Sequence, residues 1–432
     1  MARTAWQKSF GVLVIAVLGS LSVQGHPLDD LARQALAVDP GAEGAREELR
    51  AAGLDGVEAL LTLEPTEGKD REKWVAVLDR VCAQRDCAAS GLYWYTDFEA
   101  AKEEARATGR PILSLRLLGH LDDEVSCANS RFFRTMLYPD PRVAKVLRER
   151  FVLHWKSVRP VPRLTIDYGD GRTLHGTVTG NSIHYVLDSN GRLVDGIPGL
   201  YGPGWFLEVL GEAERLALEV ADLEEPLYLD ALAEAHRLAL AERDQELQEF
   251  GGVGAILVRS EPTLQIQPTA LEAGEEAMYK AVVERPVLES LFGRPASPSD
   301  LLPWAQLAAL RPEAWTLRPE SLHLMAAKHH AVGGSPIALR VFEQMLGADT
   351  ARNEYRLHTQ LRHWLQMPMV TAPDLEEFNR RVYADLFLTP HSDPWLGLWS
   401  PETYLALAPE EEAQRVAVRN ELESVEWTQL SP

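Results

Sequence analysis

Two apolar stretches constrain this chain more than any other feature: "PILSLRLLG" at residues 111–119 and "FVLHWKSV" at 151–158. Both read as strands, the first of them buried. Around them, periodicity alternates in a definite order. "TDFEAAKEEARATGRP" reads as a helix, with Thr96 or Asp97 as its cap and Gly109 closing it before Pro111. Residues 126–137 read as helix, and "PDPRVAKVLRERF" as another with proline at its start. "LTIDYGDGRTLHGTVTG" alternates around a Gly-Asp-Gly turn and reads as a hairpin-like excursion. "SIHYVLDSNGRLVDGIPG" reads as two strands around a tight Asn-Gly turn, and "GPGWFLEVLGEAERLALEVA" as helix. From 97 to 220 the order is therefore helix, strand, helix, helix, strand, excursion, hairpin, helix.

The flanks are helical. Residues 28–90 hold four short segments with apolar residues three or four apart, "LDDLARQALAV", "AREELRAAG", "GVEALLTL" and "REKWVAVLDRVCAQ". Beyond about 222 the pattern is mostly helical, with loops or short strands expected in "FGGVGAILVRSEPTLQIQPT" and "FGRPASPSDLLP". The opening is different again. Arg3 and Lys8 precede the apolar "FGVLVIAVLGSLSV", and small residues follow in "SVQG". That composition reads as a secretory signal over residues 1–25, cleaved near Gly25. The alternative is an uncleaved anchor, for which the stretch is short against the roughly 20 residues of a membrane span. The expected location is outside the cytoplasm, periplasmic or secreted. The net charge of −21 argues against nucleic acid or an anionic membrane as a main partner.

The central order resembles the thioredoxin fold. It is similar in particular to exported thioredoxin-like domains that place a helix ahead of the first strand. Their run of segments is matched by "FEAAKEEARATGRPILSL", then "CANSRFFRTMLYPDPRVAKVLRERFVLHW", then "SIHYVLDSNGRLVDGIPG". The likeness covers about residues 92–218. It implies an α/β thioredoxin-like domain at 92–220, behind a helical N-terminal region at 26–91 and ahead of a mostly helical C-terminal domain at 221–432. The family's attacking cysteine falls on Cys127 and its resolving cysteine on Ser130, giving Cys-x-x-Ser. The family's cis-proline position falls on Ser182. Both departures put ordinary dithiol exchange and substrate docking in doubt.

Cys127 is expected at a helix start, where unpaired N–H groups and the dipole favour a thiolate. Ser126 or Ser130 can donate to it, and Arg131 and Arg159 add positive charge; Asp122, Asp123 and Glu124 oppose them. A single thiol can form a mixed disulfide with a thiol-containing protein or a small thiol but has no neighbour to resolve it. The competing expectation is a buried small residue, since cysteine outside disulfides is among the most buried types. Cys82 and Cys87 read as a local disulfide closing "CAQRDC", with an alternative role as a resolving pair. A thiol peroxidase is a third option, disfavoured because Glu124 stands where that chemistry uses threonine.

Other groupings read as structural. His358 and His363 are five apart, wrong for a zinc pair on a helix, and are expected to be solvated or capping. His329 and His330 read the same way. Asp167 and Asp170 are read as turn residues, not a calcium loop. Ser182 and His184 are expected to face apart and not to form a catalytic pair. "GVG" at 252–254 lacks the context of a phosphate loop. Trp395, Trp399 and Tyr404 are read as core cover. No cofactor and no metal are expected. Two functions stay open: monothiol redox exchange through Cys127, or a thioredoxin-fold binding or scaffold protein without catalysis.

Overall fold

The structure, a computed structural model, describes residues 27–177, 180–250, 298–328, 336–367 and 371–393. Residues 1–25, the "GVG" at 252–254, His329, His330, Trp395, Trp399 and Tyr404 lie outside the described residues.

The N-terminal helices form where the apolar spacing puts them: α1 Pro27–Ala35, α2 Ala42–Ala51, α3 Leu54–Leu61 and α4 Lys69–Cys82. They close their own small core around Leu49, Leu60, Trp74 and Leu78, and this core includes Cys82 and Cys87. The two cysteines are joined as a disulfide, with Cα atoms 6.3 Å apart. Asp79, one turn before Cys82, accepts the Cys87 N–H at 2.9 Å. Burial lifts its carboxyl to about 6, against the pull of that N–H and of Arg85. Closing so short a loop removes about 2 kcal/mol of unfolded-chain entropy. Reduction, or the paired serine variant, is therefore expected to lower stability by about that much, read as a drop in the urea midpoint.

The next helix, α5 Phe98–Thr108, begins at Asp97, whose side chain accepts the N–H groups of Glu99 and Ala100. It ends at Gly109, where φ is +70°, a left-handed turn that glycine takes without strain. Strand β1 Ile112–Leu118 follows, buried at every position. The segment read as one helix over 126–137 is α6 Ala128–Phe132 running into a wider π turn, Phe133–Leu137. Then come α7 Pro141–Arg150, capped by Asp140, and β2 Val152–Arg159. The excursion is a separate two-stranded hairpin, β3 Arg163–Asp167 with β4 Thr173–Thr177. Asp167 and Asp170 accept backbone N–H groups in its turn, as Asx residues do. β5 Ser182–Leu187 and β6 Leu193–Pro198 complete the main sheet.

That sheet has the order β2-β1-β5-β6, with β1 parallel to β2 and antiparallel to β5, and β5 antiparallel to β6. Helices cover both faces. His184 on one face meets Phe133, Tyr138 and Phe206, the last on α8 Pro203–Val220. The opposite face carries Ser114, Arg116, His154 and Tyr185, matched by register. Part of its cover comes from α5, through Phe98 on the His154 ring. The rest comes from far down the chain.

Past α9 Glu225–Glu249, the helical region contains α10 Pro298–Ala308, α11 Pro312–Trp315, α12 Pro319–Lys328 and α13 Pro336–Arg352. A π turn, Asn353–His358, leads into α14 Thr359–Leu365. α15 Leu375–Arg381 ends in another π turn, Val382–Leu386. Leu361 of α14 lies against Gly196 of β6. From α15, Glu376 pairs with Arg116 at 2.9 Å and Asn379 accepts the Tyr185 hydroxyl at 3.1 Å. One continuous core therefore runs from Leu92 to Phe387 and does not stop at residue 220. Among the described residues no helix is long and apolar enough to cross a membrane.

Candidate functional site

Cys127 sits where the spacing expects it, as the N-cap of α6, with extended backbone and its sulfur accepting the Ser130 N–H at 3.4 Å. Ser126 Oγ donates to Ser130 Oγ at 2.9 Å, so the two hydroxyls are partnered with each other. The helix start therefore polarises the sulfur through a backbone amide. Access is another matter: Cys127 is 0% exposed.

Two sets of contacts pack the neighbouring junction of α6 with β5. Asn129, two residues on, donates to Ser182 Oγ at 2.8 Å and ties α6 to the start of β5. Ser182 thus stands beside the Cys127 helix, with an ordinary trans peptide, since the described residues contain no cis bond. The segment from Tyr383 to Thr389 meets this junction. The Tyr383 hydroxyl donates to the Asn181 carbonyl at 3.1 Å, and Asn181 Nδ2 donates to Thr389 Oγ1 at 2.8 Å. Leu357 and Phe387 line the same closed corner.

The neighbours expected to tune the thiol are engaged elsewhere. Arg131 donates to Thr177 Oγ1 at 3.1 Å, and Arg159 to the Asp393 carbonyl at 2.9 Å. Of the upstream acids, Asp123 pairs with Arg163 and Glu124 with Arg85. These pairs rim an open cleft of about 690 Å³ beyond the ends of β1 and β2, whose floor includes Gly119 and Val161. The Cys82–Cys87 disulfide belongs to the N-terminal core, not to the core that holds Cys127.

Two expectations need correction. Ser182 and His184 do not face apart: residues two apart on a strand share a face. They still form no pair, because Ser182 accepts from Asn129 while His184 Nε2 meets the Tyr138 hydroxyl at 2.8 Å. Burial drives His184 down to about 3, so it is neutral. Nor is His358 solvated. His363 is exposed, but His358 is 0% exposed and lies between two carboxylates, Asp195 Oδ1 at 2.9 Å and Glu354 Oε2 at 3.0 Å.

His358 belongs to a buried ionic cluster that the sequence reading missed. Arg243 reaches Glu354 at 2.7 Å, and Arg362 reaches Asp195 at 3.6 Å. Burial alone would raise both acids, but the neighbouring cations outweigh it and hold Asp195 and Glu354 well below the usual carboxylate range. The local signal was the four-residue spacing of Glu354, His358 and Arg362, which sets all three on one side of a helix. A second buried polar group lies under α15: Ser114 Oγ and His154 Nδ1 are 2.7 Å apart, beside Arg116. Burial, with Arg116 and Lys156, pushes His154 down to about 3 and keeps it neutral. Among the described residues no three His, Cys, Asp or Glu side chains gather as a metal site. Compared with protein-family models, curated proteins and solved structures, the chain matches none.

Proposed function

We propose that this chain is an exported protein in which a thioredoxin-like domain at residues 92–220 works as a binding or scaffold module, without thiol exchange in its closed form. The parallel β1–β2 pair, the β5–β6 hairpin and the helices on both sheet faces are consistent with that domain type. Fold alone does not assign chemistry; the site does. The observation that carries the proposal is the complete burial of Cys127, in the neighbourhood of Tyr383. A mixed disulfide needs in-line approach of a second sulfur to the thiolate. At zero exposure the sulfur offers no such line of approach.

Redox exchange is the second reading, and one observation favours it: the sulfur is a helix N-cap acceptor, the placement that stabilises a thiolate. Alkylation of the folded protein decides between them. Cys127 is expected to react about 1000-fold more slowly than in urea-unfolded chain, the factor given by an opening of about 4 kcal/mol. Fast reaction in the folded state, with a thiol midpoint well below about 8.5, would sink the scaffold reading and restore the redox one.

A further inference from the structure

We infer that His358 is a buried imidazolium at neutral pH, that it clamps the edge strand β6 to the helical region, and that this clamp lets go at alkaline pH. The geometry demands two protons on the ring. Nε2 faces Asp195 Oδ1 at 2.9 Å and Nδ1 faces Glu354 Oε2 at 3.0 Å. An ionised carboxylate can only accept, and a neutral imidazole has one N–H to give. A neutral ring would leave one of these contacts as two facing lone pairs, at direct-contact distance and fully buried.

Moving the missing proton to a carboxylate is the alternative, and the neighbours oppose it. On α9, Arg243 holds Glu354 at 2.7 Å. On α14, Arg362 lies 3.6 Å from Asp195 and 4.0 Å from Glu354. Ahead of α8, the Tyr201 hydroxyl also donates to Glu354, at 3.0 Å. Both carboxylates are thus held ionised, which leaves the proton on the ring.

The outer charges agree. Glu246 of α9 pairs with Arg243, and Glu212 of α8 with Arg362. With Asp195 and Glu354, four acids then face two arginines, and the imidazolium offsets part of the excess. The other histidine nearby, His236 of α9, meets the Val194 carbonyl at 2.9 Å, and burial holds it neutral. Burial and Arg362 both press the His358 proton off, but Asp195 and Glu354 outweigh them.

The position makes this a clamp. β6 is the outer strand of the sheet, and its Asp195 meets a ring carried by the π turn ahead of α14. A group whose folded pKa is raised contributes its full stability below the unfolded value of about 6.5. That contribution fades as pH rises through the folded value. The junction therefore holds at acidic and neutral pH and loosens on the alkaline side.

Ring ¹H–¹⁵N correlation on the full-length protein tests the charge state directly. One histidine is expected to keep both ring nitrogens protonated at pH 8, where exposed histidines are neutral, and its signal should vanish in His358→Gln. Unfolding in urea then tests the clamp. Between pH 7 and pH 10 the unfolding constant of the wild type should rise severalfold more than that of His358→Gln. A wild-type spectrum with no doubly protonated ring at pH 8 overturns the charge assignment, whether or not the variant folds. Parallel pH profiles for the two proteins overturn the clamp.

Discussion

Replacing Glu354 with alanine is expected to destabilise the fold by about 3–5 kcal/mol, the range for removing one partner of a buried ion pair. The carboxylate is almost wholly buried, at 1% exposure, and serves Arg243, His358 and Tyr201 at once. Its loss leaves the guanidinium of Arg243 and the ring of His358 short of a counter-charge, where water cannot replace it. The cost comes from the stranded charges more than from the lost pair itself. A triple change separates the two: Glu354→Leu combined with Arg243→Met and His358→Leu should be milder than Glu354→Ala alone. Urea midpoints at constant m-value would read the series. A single-variant cost below about 1 kcal/mol would mean that these charges are hydrated and the cluster is not a closed one.

The second large effect is steric. Gly202→Ala is expected to cost about 3 kcal/mol, at the upper end for overpacking a tight contact. Gly202 precedes α8, and its backbone has the ordinary φ of −63°, so alanine brings no backbone strain there. Space is the limit: an added Cβ would lie 2.2 Å from Trp315 Cα and 2.8 Å from the Ala314 carbonyl. These are main-chain atoms of the short helix α11, which cannot rotate aside as a side chain would. The Gly202 N–H also donates to Thr350 Oγ1 at 2.9 Å, so any shift strains a buried hydrogen bond. Gly211→Ala is the control, because a Cβ there meets nothing within 4 Å and should gain helix propensity. Equal effects at the two glycines would show that the α11 contact is not tight.

Local spacing made much of the architecture readable. The Asp97 cap, the Gly109 stop, the Asn190-Gly191 turn and the Cys82–Cys87 bridge each depend on residues within one turn of one another. Cys127 at a helix start was readable for the same reason. Its burial was not, because Cys127 belongs to a core that runs on to Phe387, and no local pattern links those residues to position 127. The same holds for Arg116. A single charge inside an apolar strand is ambiguous until its partner, Glu376, is known. For His358 the distance to His363 carries no information, and the informative neighbour is Glu354, four residues earlier. The π turn after α6 had no visible signal in the apolar run "FFRTML".

The dependence of the sheet on α14 and α15 sets an order of events during biosynthesis. β1, β5 and β6 leave the ribosome well before the segment that shields Arg116 and Tyr185. At the roughly 5–20 residues per second of translation, that gap lasts about ten seconds or more. For that interval the nascent chain carries an uncapped strand surface, the kind of surface that recruits chaperones and seeds aggregation. A fragment ending at residue 220 would lack the partners that α15 gives Arg116 and Tyr185, so the middle of this chain carries a surface that only its C-terminal part covers.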